Sequence, residues 1–226
     1  ANTATWLASF GVPVRLLAAV GDDDLGLRAR QHLAEAGVGF AGPVLDRAAT
    51  GACVVLVGPD GERTMLPDRG ANDRLAVSAV IDALDPLPGW LHLSGYTLLG
   101  EGSRNAGKAV VSAALAAGCI VSIDAASAAP LRAIGADTFL AWVSGVSLLF
   151  ANDDEVEALG GVRSVLHHVG AVVVKHGPAG ATWTDGAETV SADGLVVDLV
   201  DPTGAGDAFA AGWIDAQRSG VSVEES

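Results

Sequence analysis

Basic residues are scarce in this chain of 226 residues, which contains 13 Lys and Arg against 27 Asp and Glu, a formal net charge of −14. A nucleic-acid-binding protein carries a basic patch or stripe; the sequence shows none, so we expect no nucleic-acid partner. No apolar run approaches the ~20 residues of a membrane span, so we expect no membrane association. The two cysteines, Cys53 and Cys119, lie in apolar, strand-like runs. They predict buried free thiols in a reducing compartment, and hence a cytoplasmic protein.

The sequence does contain a repeated order of apolar runs and helical stretches. Several runs are solidly apolar, as in strands that helices cover on both faces. The repeated strand-then-helix order predicts an α/β fold, in which helices flank a mostly parallel sheet with right-handed crossovers. The predicted strands are residues 14–20, 90–94, 119–124, 146–150, 171–175 and 195–200, and the predicted helices include residues 25–36, 103–117, a segment from 153, and 207–218.

One region, residues 38–66, breaks this pattern because it has strand-like runs and turns but no helical stretch. Residues 52–57 and 62–66 flank the turn Gly58-Pro59-Asp60-Gly61, which predicts a hairpin. A β-segment inside an α/β chain suggests a small lid over a binding site. The alternative is a surface hairpin without a function.

A glycine-rich turn, residues 201–209 with the sequence D-P-T-G-A-G-D-A-F, joins the last predicted strand to the last predicted helix. Free N–H groups and the positive end of the helix dipole make such a turn an anion site. Asp207 would repel a bound phosphate, but it is useful if it takes a proton from a hydroxyl group that attacks the phosphorus atom. The alternative is an ordinary carboxylate of the first helical turn. No Walker A, HExxH or GxSxG pattern is present, so the phosphate chemistry depends on this turn.

Two further motifs follow predicted strands. In Asn152-Asp153-Asp154-Glu155, the first and last side chains share one face of a first helical turn. They could act together at a ligand, or they could form a capping box. Residues 175–180, with the sequence K-H-G-P-A-G, read either as a turn beside a ligand or as a plain hairpin turn.

The nonapeptide resembles the C-terminal signature of the PfkB family, the ribokinase-like sugar and nucleoside kinases. The N-x-x-E motif, the turn after Lys175, Gly61-Glu62-Arg63-Thr64 in the predicted lid and the helix that begins at Asn2 are also similar to that family. The resemblance implies a ribokinase-like three-layer sandwich over residues 1–226, with a β lid at about 38–66 that covers the sugar and often carries dimer contacts. It also implies that the natural protein is longer at both termini.

The resemblance further implies a role for each matching residue. Asp207 would be the catalytic base, and the N–H groups of Gly204, Ala205 and Gly206 would stabilise the charge on the transferred group. The other implied contacts are Asn152, Lys175, Gly177 and Gly180 to the nucleotide, Asn2 to the sugar, Glu155 to magnesium, and Asp201 and Thr203 to a monovalent cation such as K⁺. Asp124, at the end of a predicted strand, would support the site indirectly.

We therefore expect an ATP- and Mg²⁺-dependent kinase that phosphorylates a hydroxyl group of a small sugar. The run Leu93-Ser94-Gly95-Tyr96 stands where ribokinases tend to have a glutamate that binds ribose, which argues against ribose as the acceptor. A nucleoside kinase of the same fold and a non-catalytic metabolite-binding protein are the alternatives.

Overall fold

The structure is a computed structural model that describes residues 1–58, 63–198, 201 and 203–225. The strands are β1 Arg15–Leu16, β2 Val20–Gly21, β3 Gly39–Phe40, β4 Val44–Leu45, β5 Ala52–Val57, β6 Arg63–Asp68, β7 Trp90–Ser94, β8 Ile120–Asp124, β9 Leu148–Asn152, β10 Ala171–Lys175, β11 Ala181–Thr184 and β12 Thr189–Ala192. The helices are α1 Asn2–Ser9, α2 Asp24–Glu35, α3 Val77–Asp82, α4 Tyr96–Leu99, α5 Arg104–Ala116, α6 Ala128–Ile134, α7 Ala136–Trp142, α8 Asp153–Ala158, α9 Val162–Leu166 and α10 Ala205–Arg218. None of the described helices is both long and apolar enough to cross a bilayer.

The central sheet has six strands in the order β12-β11-β10-β9-β8-β7. Strands β7 to β10 are parallel, and β11 and β12 add antiparallel pairs at one edge. Each parallel strand reaches the next through at least one helix, as parallel pairing requires. The prediction of a mostly parallel sheet is therefore confirmed.

Both faces of the sheet are apolar, and each is covered by its own helices. Along β9, Leu149 and Ala151 belong to the core beneath α5 to α9, whereas Leu148 and Phe150 belong to the core beneath α1 and α10. Alternate side chains of a strand point to opposite faces, so a solidly apolar strand fills two cores. The result is a three-layer arrangement with the sheet in the middle.

A separate hairpin lies outside the central sheet. Strands β5 and β6 pair antiparallel from Ala52↔Asp68 to Val57↔Arg63, and every side chain of β5 is exposed. The predicted hairpin is confirmed, while its turn, residues 59–62, lies outside the described residues. The described residues between 38 and 66 contain no helix, also as predicted.

Three expectations are corrected by the structure. The predicted strand at residues 14–20 is two short strands, because β1 pairs with β3 and β2 with β4, while the N–H group of Ala19 donates to the Asn72 side chain. Cys53 is exposed rather than buried, because β5 is covered on neither face.

The third correction concerns the apolar run before the glycine-rich turn. Residues 195–198 form no strand, and Leu195, Val196 and Val197 are exposed. Their apolar character suggested a strand, but a strand also needs a neighbouring backbone, and no described strand pairs with them. Residues 199, 200 and 202, the remainder of this prediction, lie outside the described residues.

Candidate active site

The parallel register brings polar side chains to one edge of the sheet. Ser94 at the end of β7 pairs with Asp124 at the end of β8, and Lys175 at the end of β10 pairs with Asn152. Ligands gather at the carboxyl ends of the strands in open α/β sheets. A cavity of about 1240 Å³ opens here, and its wall includes Asn2, Asp124, Glu155, Lys175, Gly206 and Asp207.

The glycine-rich turn begins α10 beside this cavity. Gly204 has a φ of 78°, a left-handed conformation that suits glycine, and no side-chain hydrogen bond caps the helix. The first N–H groups of a helix have no acceptor within it, so they are available to an anion. A Cβ atom on Gly206 would lie 3.2 Å from the Nζ atom of Lys175. Glycine at this position therefore leaves room for an ammonium group next to the N-terminus of α10.

The carboxylate of Asp207 is held by the first turn of α1. The side-chain amide of Asn2 donates to Oδ2 over 3.1 Å, and the hydroxyl group of Thr3 donates to Oδ1 over 2.5 Å. Helices α1 and α10 pack against each other, with Leu7 and Ile214 in one buried cluster. The structure thus brings Asn2 and Asp207 together. Thr3 was not predicted, because its partner lies 204 residues away.

Lys175 and Asp124 form a salt bridge across the sheet edge. The Nζ atom of Lys175 lies 2.7 Å from Oδ2 of Asp124, and the side chains are 16% and 23% exposed. An ammonium group with so little access to water needs a compensating carboxylate. Asp124 thus holds Lys175 at the cavity.

The N-x-x-E motif forms a capping box at the start of α8, so this alternative is confirmed. The backbone N–H of Asn152 donates to Glu155 Oε2 over 2.8 Å, and the N–H of Glu155 donates to Asn152 Oδ1 over 2.9 Å. Burial raises the pKa of Glu155, while the bond from Asn152 opposes this and the charge of Asp124 adds to it. Glu155 lies on the cavity wall and Asn152 does not.

The turn after Lys175 is a tight hairpin turn between β10 and β11. Gly177 and Gly180 have φ values of 58° and 101°, and the N–H of His176 donates to the carbonyl of Gly180 over 2.8 Å. The imidazole of His176 lies 2.8 Å from a carboxylate oxygen of Asp153. The two glycines are outside the cavity wall, so the plain hairpin accounts for their conformation.

The three other predicted residues belong to the turn itself. Ala205, Asp201 and Thr203 are not on the cavity wall. The N–H of Thr203 donates to Oδ1 of Asp201 over 2.8 Å, which closes a local turn before α10. Among the described residues, no group of three or more His, Cys, Asp or Glu side chains could hold a metal ion. Mg²⁺ usually binds through one or two carboxylates together with phosphates and waters, so Glu155 on the cavity wall fits an ion that also has phosphate ligands.

A polar cluster in the sheet was missed in the sequence. Trp90 Nε1 donates to the fully buried Ser122 Oγ over 2.8 Å, and His92 Nδ1 lies 2.9 Å from the same oxygen. Trp90 can only donate, whereas the Ser122 hydroxyl can both donate and accept, so the direction of the bond between Ser122 and His92 depends on the imidazole tautomer. Burial lowers the pKa of His92 to about 4, although the carboxylates of Asp124 and Asp207 act in the opposite direction. His92 therefore enters the cavity wall as a neutral imidazole.

Comparison with known proteins points to one family. The family model "pfkB family carbohydrate kinase" matches residues 1–226. Among curated proteins, the chain is 32% identical to the ATP-dependent ribose-1-phosphate kinase of Halopiger xanaduensis, over 100% of this chain and 74% of that protein.

Solved structures give the same result. The chain is similar to adenosine kinase from Sinorhizobium meliloti, with a TM-score of 0.86 and 27% identity over 99% of this chain and 72% of that one. It is also similar to a structure described as ribokinase II from E. coli in complex with ATP and Mg²⁺, with a TM-score of 0.88 and 25% identity over 98% of this chain and 75% of that one. These matches confirm the predicted ribokinase-like fold.

Replacing His92 with glutamine should flatten the acid side of the stability profile. The unfolded chain binds a proton on this imidazole near pH 6.5, whereas the folded protein does so only near pH 4. Stability is therefore lost as the pH falls through this window, by up to about 3 kcal/mol. Urea unfolding between pH 7 and pH 4 should show a shallower decline for His92→Gln than for the wild type.

The control for this experiment is His32→Gln, which removes an exposed imidazole from α2. The raised pKa of Glu155 changes the pH dependence of stability with the opposite sign. This contribution is the same in the wild type and in His92→Gln, so it cancels when the two profiles are subtracted. Parallel profiles for the wild type and His92→Gln would show that His92 is not held neutral.

Proposed function

Because the chain belongs to the pfkB family of carbohydrate kinases, we propose that it transfers the γ-phosphate of ATP to a hydroxyl group of a small sugar. The observation that carries this proposal is the position of Asp207, whose carboxylate lies on the wall of a cavity directly after an uncapped glycine-rich turn. The turn suits a phosphate, and the carboxylate suits the proton that an attacking hydroxyl group must lose. A site that only bound anions would have no use for this carboxylate.

The phosphate side of the proposed site consists of backbone donors and one cation. The N–H groups of Gly204, Ala205 and Gly206 would stabilise the charge that develops on the transferred phosphoryl group. Lys175, close to Gly206, would add its positive charge. Asn152 and the hairpin turn with Gly177 and Gly180 would border the nucleotide.

The acceptor side consists of Asp207 and its partners. The sugar hydroxyl would give its proton to the carboxylate of Asp207 as its oxygen attacks the γ-phosphorus, and the bond from that phosphorus to ADP would break. Asn2, whose amide already contacts the carboxylate, would also bind a sugar hydroxyl and so align the acceptor with the base.

Metal ions would complete the phosphate side. Magnesium, when bound, neutralises charge on the phosphate groups, and Glu155 would hold it through its water ligands. Asp201 and Thr203, which already form one local turn, would provide oxygen atoms for a monovalent cation. The similar E. coli structure in complex with ATP and Mg²⁺ supports the magnesium part of this proposal.

A nucleoside kinase is the second candidate. The chain is similar to an adenosine kinase as well as to a ribose-1-phosphate kinase. ADP release with a panel of pentoses, hexoses, sugar phosphates, keto-deoxy acids and nucleosides distinguishes the two. A best acceptor that carries a nucleobase would favour the second candidate.

The β5–β6 hairpin would act as a lid and as a dimer contact. Cys53 is close enough to Tyr96 on the cavity wall to add to the rise in the Tyr96 pKa, which is mainly due to burial. On the face of the hairpin that carries Cys53, Val55 and Met65 are 44% and 54% exposed. The opposite face carries Val54, Leu56 and Leu66, which are 58%, 54% and 54% exposed. A two-stranded hairpin is only marginally stable by itself, and we propose that the same face of a second copy covers these side chains.

The cytoplasm is the location that we propose for this kinase. Both cysteines are free, and the thiol of Cys53 is exposed. An exposed free thiol is typical of a reducing compartment.

Asp207→Asn should lower kcat by about 10²–10⁴-fold, the usual effect of losing a positioned general base. Asparagine preserves the shape and one acceptor oxygen, so the fold and ATP binding should persist. The measurements are ADP release with the best acceptor and ATP affinity by calorimetry. Asp215→Asn, about two turns further along α10, is the control. A kcat close to that of the wild type in Asp207→Asn would contradict the mechanism.

Glu155→Gln should raise the magnesium concentration for half-maximal rate and lower the maximal rate. Glutamine can still accept the N–H of Asn152, so the change removes the charge more than the cap. Magnesium titrations of the initial rate test this, and Glu157→Gln, an exposed glutamate of the same helix, is the control. The proposal is contradicted if the magnesium profile is unchanged and the unfolding free energy falls by about 0.5–2 kcal/mol. Glu155 would then be only a capping residue.

Leu56→Asp should convert a dimer into a monomer, because it places a charge at the centre of the proposed apolar contact. Light scattering after size-exclusion chromatography measures the mass of each variant. Val77→Asp adds the same charge at an exposed position at the start of α3 and should leave the mass unchanged. A monomeric wild type at micromolar concentration would refute the dimer.

A further inference from the structure

We propose that Thr3 is a positioning residue for Asp207, whose hydroxyl group fixes one carboxylate oxygen and leaves the other to receive the proton of the acceptor. The proposal rests on the function proposed above, in which Asp207 is the base. It assigns to the chain a residue of the reaction that neither the sequence motifs nor the family match identifies.

The contact between Thr3 and Asp207 is short and sheltered. Thr3 Oγ1 donates to Asp207 Oδ1 over 2.5 Å, and Thr3 is only 9% exposed. Hydrogen bonds from a hydroxyl to a carboxylate are among the stronger ones in proteins. A carboxylate has about four acceptor positions on its two oxygens, so Asp207 can hold the bonds from α1 and still accept a proton.

The two carboxylate oxygens are held unequally. The bond from Thr3 to Oδ1 measures 2.5 Å, whereas the bond from Asn2 to Oδ2 measures 3.1 Å. Oδ2 is therefore the less tightly bound oxygen. In the proposed step the acceptor O–H bond breaks, its proton passes to Oδ2, the acceptor oxygen bonds to the γ-phosphorus, and the bond from phosphorus to ADP breaks.

The Thr3 hydroxyl is not needed to join α1 to α10. Leu7, Ala211 and Ile214 already pack the two helices together in a buried apolar cluster. Valine has nearly the same shape as threonine but no hydroxyl group, so Thr3→Val should keep the packing and free Oδ1. A general base that is held at one oxygen only, by Asn2, is less often aligned with the acceptor, and small misplacements are costly in rate.

The same helix provides a matched control. Thr5 is also a threonine of α1, but its side chain is exposed and its hydroxyl donates to the carbonyl of Ala1 over 3.3 Å. Thr5→Val makes the same chemical change without touching Asp207. Thr3→Ser keeps a hydroxyl at the proposed place and tests for rescue.

The experiment measures kcat, the KM for ATP and the melting temperature of the full chain, with the acceptor that releases ADP fastest in the panel. Thr3→Val should lower kcat by about 10- to 100-fold with an unchanged KM for ATP. Thr3→Ser should recover most of the rate, and Thr5→Val should behave like the wild type. If Thr3→Val does not fold, Thr3→Ala takes its place in the same comparison.

The outcomes separate this inference from the function on which it rests. A wild-type kcat for Thr3→Val, measured where Asp207→Asn is inactive, overturns the inference and leaves the kinase mechanism standing. Equal losses in Thr3→Val and Thr3→Ser also overturn it, because the shape of the side chain would then matter rather than the hydroxyl. A wild-type kcat for Asp207→Asn overturns the proposed mechanism, and the inference with it.

Discussion

The register of the four parallel strands is the constraint on which the site depends. Because β7, β8 and β10 end at the same edge of the sheet, Ser94, Asp124 and Lys175 meet there although they are far apart in the chain. The register is fixed by apolar side chains that fill a core on each face, and a shift of one residue would exchange the two faces. The position of the polar groups is therefore a consequence of packing in the middle of the sheet.

Most polar groups at this edge already have partners. Lys175 bonds to Asp124 and Asn152 to Glu155, while within the sheet His92 bonds to Ser122. Each pair compensates for lost hydration and fixes side chains before any ligand arrives, which is the preorganisation that catalysis by electrostatic stabilisation requires. Because of this pairing, the same residues contribute both to the stability of the fold and to the candidate site. Variants that keep a hydrogen bond while removing a charge or a hydroxyl group are therefore more informative than truncations.

Local signals in the sequence were sufficient for much of the architecture. Strands β7 and β10 have the predicted bounds, and the turn before Asp207 starts a helix as expected. Solid apolar runs predict strands of a covered sheet, but they do not reveal whether a neighbouring strand exists. Leu195 illustrates this limit, since it lies in an apolar run and is exposed. Cys53 is a second example, since it lies in an apolar strand but is exposed because no layer covers that strand.

The site itself was less predictable. Asp207 could be found because a short motif surrounds it, whereas Thr3 and His92 have no local signature. Their roles arise from contacts between elements distant in sequence, and only the packing of α1 on α10 and the alternation along β7 bring them to the cavity. The N-x-x-E motif has a local signature, but this signature is ambiguous. Its spacing is compatible with a helix cap and with a ligand site, so the sequence alone does not distinguish the two.

The contact between the first turn of α1 and Asp207 also has a consequence for biosynthesis. The two partners are separated by 204 residues, so Thr3 leaves the ribosome long before Asp207 is added to the chain. Until α10 has been made and has docked on α1, the nascent polypeptide carries only part of the proposed site. Under the proposed mechanism, activity therefore requires the contact between the first and the last described helix, and an N-terminal fragment released early from the ribosome would lack the proposed base.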